Sequence, residues 1–143
     1  MPTNNSKPIQ KTCDDMMNLI SDVLNGENTY GFNVDSVYCI NGLYYVLEFL
    51  CCDSVSPAKS HPSRYWKKNR RKFLSLFELT QKLGGRFILV NYETSHTDFK
   101  VMELVKATED GCETIGDKVM NREEFDVWFK SLNRHNYIEL TAK

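Results

Sequence analysis

The sequence predicts an α/β fold, a mixed β-sheet flanked by helices. Three observations carry that expectation. Segments with helical spacing alternate along the chain with short runs rich in β-branched and aromatic residues. Asn41-Gly42 separates two strand-like segments, the strongest short signal for a hairpin, because both residues accept positive φ. Two runs, "LYYVLEFLCC" and "RFILVNY", are apolar on both faces, which marks strands covered on both sides.

The elements follow in order. "MPTNNSKPIQKT" is polar, has no apolar core of a signal peptide and reads as a flexible arm over about 1–11. In "TCDDMMNLISDVLNG", Met16, Leu19, Ile20, Val23 and Leu24 recur at helical spacing. Thr12 is its expected cap and Asn25-Gly26 its stop, predicting a helix over about 12–25. "NVDSVYCI" alternates as a strand, and "LYYVLEFLCC" is its hairpin partner. "DSVSPAKSHPS" is a turn-rich loop. "RYWKKNRRKFLSLFELTQKLGG" is a long helix closed by Gly84-Gly85. "RFILVNY" is a buried strand. "FKVMELVKAT" reads as an edge strand guarded by lysines, and "EDGCETIGDK" as a loop. "NREEFDVWFKSLN" has the Asn121/Glu124 capping pair ahead of Phe125, Trp128, Phe129 and Leu132 on one face. One domain over 1–143 accommodates all of this.

Composition narrows the class. The chain is 41% hydrophobic and 26% charged, ordinary for a globular protein. No apolar run approaches the ~20 residues of a membrane span. Five cysteines, two of them adjacent, form no CxxC pair and lack zinc-ligand spacing. Reduced thiols and a cytoplasmic location are the expectation. A cysteine nucleophile stays open, although buried strand cysteines are usually inert.

The net charge of −1 conceals a basic belt. From Ser54 to Phe77 there is no Asp or Glu, yet Lys59, Arg64, Lys67, Lys68, Arg70, Arg71 and Lys72 fall there. A cationic stretch on an otherwise acidic chain suits a polyanion, although a solvated helix end is the commoner fate of such runs.

Glu48 poses the sharpest question. It is a lone carboxylate in an apolar strand, and burying an unpaired charge is costly. Counting outward from the Asn41-Gly42 turn places Asp35 directly across from it. Two such charges ~5 Å apart at an effective dielectric of ~20 repel by about 3 kcal/mol. A good cross-strand pair contributes only ~0.2–1 kcal/mol. The repulsion is offset by protonating one acid, by a basic side chain or by a divalent cation. Mg²⁺, or Mn²⁺, suits two carboxylates, several waters and a phosphate oxygen. Alternatively, Asp35 points into solvent and Glu48 pairs with a nearby Lys or Arg. On a helical wheel the apolar stripe of the long helix spans about 160° at ~100° per residue, and Lys72 falls inside it. Lys72 therefore either snorkels or reaches the acids.

An acid on one hairpin strand, a glutamate on the next, then a basic helix and a buried strand resembles the PD-(D/E)XK nuclease superfamily, the restriction-endonuclease-like fold. The likeness covers about residues 12–93. Val34-Asp35 is similar to the family's first acid, "LEFL" to the strand of its second, and "LGGRFILVNY" to the strand after its helix. The family's lysine normally lies two residues after the glutamate, where this chain has Leu50. Some members carry it on the following helix, which makes Lys72 its substitute.

The resemblance implies a restriction-endonuclease-like core and metal-dependent phosphodiester hydrolysis by an endonuclease. Asp35 and Glu48 are then the ligands of Mg²⁺ (or Mn²⁺), and Asp35, Glu48 and Lys72 the catalytic set. Lys59, His61, Arg64, Lys67, Lys68, Arg70 and Arg71 track the phosphate backbone. The implied partner is nucleic acid, DNA first. A homodimer is a further expectation, since many such nucleases act as dimers. Tyr65 and Trp66 either stack on bases or belong to the core. Two other readings stand beside this one: a nuclease-like fold that binds nucleic acid without cutting it, and a protein-interaction module.

Overall fold

The computed structural model describes residues 15–134, 137, 139 and 140. The expected arm over 1–11, the Thr12 cap and Cys13 lie outside them. The chain divides into two units, Met1–Asn33 and Val34–Lys143. In the first, helix α1 covers Asp15–Leu24. Asn25 and Gly26 end it with φ of 45° and 85°, the left-handed stop expected of that pair.

The second unit is α/β. Its strands are β1 (Ser36–Ile40), β2 (Leu43–Cys51), β3 (Arg86–Tyr92), β4 (Asp98–Thr108) and β5 (Gly111–Asn121). They form one mixed sheet in the order β1-β2-β3-β4-β5. Only β2 and β3 run parallel, so their connection must cross over, and helix α2 (Trp66–Lys82) makes that crossing. Helix α3 (Arg122–Leu132) follows β5.

Local chemistry explains the joints. Asn41 and Gly42 take φ of 53° and 84°, and β1 and β2 pair as Ser36↔Leu47 through Ile40↔Leu43. That register is the one the turn predicts. The α2–β3 joint needs Gly85, because a Cβ there would strike the Tyr44 carbonyl. Asn121 caps α3 by accepting from the Glu124 N–H at 2.9 Å, while Glu124 accepts from the Asn121 N–H at 3.1 Å.

Two expectations are corrected. "FKVMELVKAT" is not an edge: β4 lies between β3 and β5. The segment expected as the loop "EDGCETIGDK" contributes most of β5, the true edge. Its sequence hides a strand because Gly116, at φ 65°, sits where the β4–β5 register shifts, and the shift breaks the alternation that would mark a strand. The basic loop also holds more structure than expected, with 3₁₀ turns at Pro57–Lys59 and Pro62–Tyr65.

Each sheet face carries its own core. Val46, Phe87, Leu89, Met102 and Leu104 pack with Trp66, Phe73 and Leu76 of α2. Tyr45, Leu47, Ile88, Val90 and Val101 pack with Trp128 and Leu132 of α3. Among the described residues no helix is long and apolar enough to cross a membrane.

Candidate functional site

Glu48 lies in the middle of β2 and retains 2% of its exposure. Alternation along the strand puts it, with Val46 and Leu50, on the face that α2 covers. Lys72 of α2 reaches over the sheet and forms an ion pair with Glu48 Oε1. Glu48 Oε2 is buried without a hydrogen-bond partner among the described residues. Burial raises the pKa of Glu48 above the usual carboxylate range, and the charge of Asp35 pushes the same way. The Lys72 ammonium opposes the shift.

Asp35 stands one step beyond the Ser36↔Leu47 pair, at the mouth of β1 and opposite Glu48. It is exposed. Its Oδ2 accepts the backbone N–H of Phe49 at 2.8 Å, extending the β1–β2 ladder by a side chain where β1 has not yet begun. The turn thus brings Asp35 and Glu48 within mutual electrostatic reach, with Lys72 on the buried member.

Beyond Glu48, the carboxyl end of β2 opens into a cleft of about 250 Å³. Leu50 and Cys52 form its floor, and Arg64, Lys68 and Asn69 line it from the helix side. Lys68 and Lys72 are four residues apart on α2, so one helical face carries cations from the cleft to Glu48, with Arg64 of the preceding 3₁₀ turn also at the cleft. Lys67 and Arg71 are exposed beside them and, like Lys59, have no ion-pair partner among the described residues.

Two of the residues expected to track phosphate, Arg70 and His61, are already engaged. Arg70 pairs with the Glu109 carboxylate at 3.2 Å and donates to the Glu109 carbonyl at 3.2 Å. It ties α2 to the β4–β5 turn. His61 caps the second 3₁₀ turn, with Nδ1 accepting from the Ser63 N–H at 3.1 Å. Its Nε2 lies 2.9 Å from Thr114 Oγ1. Both ring nitrogens are in use, and burial lowers the His61 pKa. His61 therefore anchors the loop rather than offering a charge to phosphate.

A polar network missed at the sequence level fixes this loop. The Ser60 carbonyl accepts from Asn91 Nδ2 at 2.9 Å and from Lys100 Nζ at 3.3 Å. Tyr65 donates its hydroxyl to Asn91 Oδ1 at 3.2 Å. Trp66 is buried and donates to the Thr108 carbonyl at 2.9 Å. Both aromatic residues are thus core members rather than base-stacking surfaces. The thiols of Cys52 and Cys112 are pushed up by burial, Cys112 to about 11, so neither is poised as a thiolate nucleophile.

No group of three or more His, Cys, Asp or Glu residues able to hold a metal ion occurs among the described residues. Mg²⁺ needs only one or two protein carboxylates, since it keeps several waters. Asp35 and Glu48, the latter with an unpartnered oxygen, are the residues that could hold such an ion. No family model matches the chain, and no curated protein or solved structure matches it.

Proposed function

We propose that the protein is a metal-dependent nuclease on a restriction-endonuclease-like core, built from the hairpin, α2 and β3. The observation that supports this most is Glu48: a buried carboxylate with one oxygen unpartnered, Asp35 opposite, and a cationic helix face leading away from it. An unsatisfied buried polar atom costs ~1–3 kcal/mol, and such costs persist where a ligand removes them.

In this reading Asp35 and Glu48 hold Mg²⁺ or Mn²⁺. When bound, the ion lowers the pKa of a water and stabilises charge on the scissile phosphate. Lys72 opposes the upward shift that burial gives the Glu48 pKa and carries positive charge to where the phosphate gains negative charge. Arg64, Lys67, Lys68 and Arg71 hold the flanking phosphates, which positions the strand without reading its sequence. The network around Ser60 keeps the loop bearing Lys59 and Arg64 in register with the sheet.

The closure of Lys72 on Glu48 favours a second reading, a module that binds nucleic acid without cutting it. A buried acid already neutralised by lysine has less need of an ion. Incubation of plasmid, single-stranded DNA and RNA with Mg²⁺ separates the two. The nuclease reading expects cleavage that Asp35→Asn and Glu48→Gln abolish. Binding with no cleavage under Mg²⁺ or Mn²⁺ overturns it in favour of the second.

A further inference from the structure

The other sheet face carries a second opening, of about 420 Å³, between β2, β3, β4 and α3. Its walls are aromatic: Phe49, Tyr92, Phe99, Phe125 and Phe129. Phe99 and Phe125 stack at 4.1 Å and 6°, whereas Phe49 meets Tyr92 and Phe129 edge-on at 6.5 and 6.2 Å. At the rim, His96 lies edge-on to Tyr92 at 5.7 Å, on a loop that its φ of 57° turns back toward the sheet. Arg122 also stands at the rim, paired with Asp126 at 2.9 Å and donating to the His96 carbonyl at 3.3 Å.

We infer that this pocket takes one unstacked nucleobase of the bound strand, so that the substrate is single-stranded or locally unpaired nucleic acid. The inference rests on the nuclease reading above. Three features select a base. The walls offer π-faces and edges, which stack on any base. The rim charges cancel as an Arg122–Asp126 pair, so the site suits the uncharged part of a nucleotide while still presenting a donor and an acceptor to its edge. The pocket also adjoins Asp35. Asp35 is bonded to the N–H of Phe49, a wall residue, and its charge acts on the Tyr92 hydroxyl, whose pKa is raised first by burial. Successive residues of a strand face opposite ways, so Glu48 and Phe49 lie on opposite faces of β2, just past Leu47, where the β1 ladder stops. A strand whose phosphate lies at the acids passes over the edge of β2 that β1 leaves uncovered and delivers a neighbouring base to the pocket. A base still paired inside a duplex cannot enter.

The test is binding by the full chain without divalent metal, read by anisotropy of a labelled single-stranded 15-mer, its duplex, and the same strand with abasic sites. The intact single strand is expected to bind about tenfold tighter than the other two, as base stacking on an aromatic wall would give. Tyr92→Leu and His96→Ala should reduce that preference, and Tyr92→Phe should retain it. Adenosine monophosphate should shift the ring proton resonances of Tyr92 and His96. Equal affinity for intact and abasic strands, or a preference unchanged in Tyr92→Leu and His96→Ala, overturns the inference. The outcome is separable from the nuclease reading: a strand bound through its base but never cut counts against cleavage alone, and a duplex cut and bound as well as single strand counts against the pocket alone.

Discussion

Lys72 of α2 and Glu48 of β2 form an ion pair across the interface between helix and sheet, with the acid buried and the lysine 37% exposed at its side chain. The pair joins the crossover helix to the hairpin, and what happens when either partner is removed follows from that unequal burial.

Lys72→Met leaves the buried Glu48 without its cation, so the carboxylate must either stay charged in the core or take up a proton. The expected loss is up to ~3 kcal/mol at neutral pH, the lower end of the ~3–5 kcal/mol for breaking a buried pair, because Lys72 keeps contact with solvent. Adding Glu48→Gln to Lys72→Met should restore most of it. Urea denaturation of the three proteins checks this, and a loss in the double variant as large as in Lys72→Met contradicts it.

The raised pKa of Glu48 sets a pH dependence. The folded chain binds this proton more tightly than the unfolded chain does. Its stabilising contribution is therefore complete below the unfolded pKa and is lost as pH rises through the folded one. Relative to Glu48→Gln, the metal-free parent should lose stability between acid and neutral pH. Urea midpoints measured across that range for both proteins give the slope. Divalent metal needs the carboxylate ionised, so its affinity should weaken on acidification sooner than for an ordinary glutamate near ~4.3.

Nucleic-acid affinity should follow the unpaired cations. Lys67→Ala, Lys68→Ala and Arg71→Ala are each expected to reduce the slope of log affinity against log salt by ~1. Arg70→Ala and His61→Ala should change the slope less and the melting temperature more, since these side chains hold Glu109, Ser63 and Thr114. Anisotropy titrations at several salt concentrations distinguish the two groups.

Gly85→Ala should destabilise by ~1–3 kcal/mol, the usual range for overpacking, because the new methyl group meets the Tyr44 carbonyl where β3 begins beside β2. Gly84, at φ 66°, is the left-handed residue at this joint, so the effect at Gly85 is steric. Thermal melts of Gly85→Ala and Gly85→Ser should fall together.

Signals confined to neighbouring residues were the ones legible in the sequence. Asn41-Gly42 fixed the hairpin register and so the position of Asp35 opposite Glu48. Helical spacing placed Lys72 on the face that meets the sheet. The Asn121/Glu124 pair located the start of α3. What escaped depends on distant residues. β5 is polar and bulged at Gly116, and it is a strand because β4 offers it a ladder. The role of His61 rests on Thr114, a residue of that strand. The aromatic pocket draws on β2, β3, β4 and α3, and no spacing in the chain announces it.

The central claim is that Asp35 and Glu48 together hold a divalent cation. Calorimetric titration of Mn²⁺ into the parent, Asp35→Asn and Glu48→Gln at neutral pH tests it most directly. The account predicts binding to the parent that both substitutions remove while the fold persists. Heat of binding unchanged in either variant, or none in the parent, contradicts it.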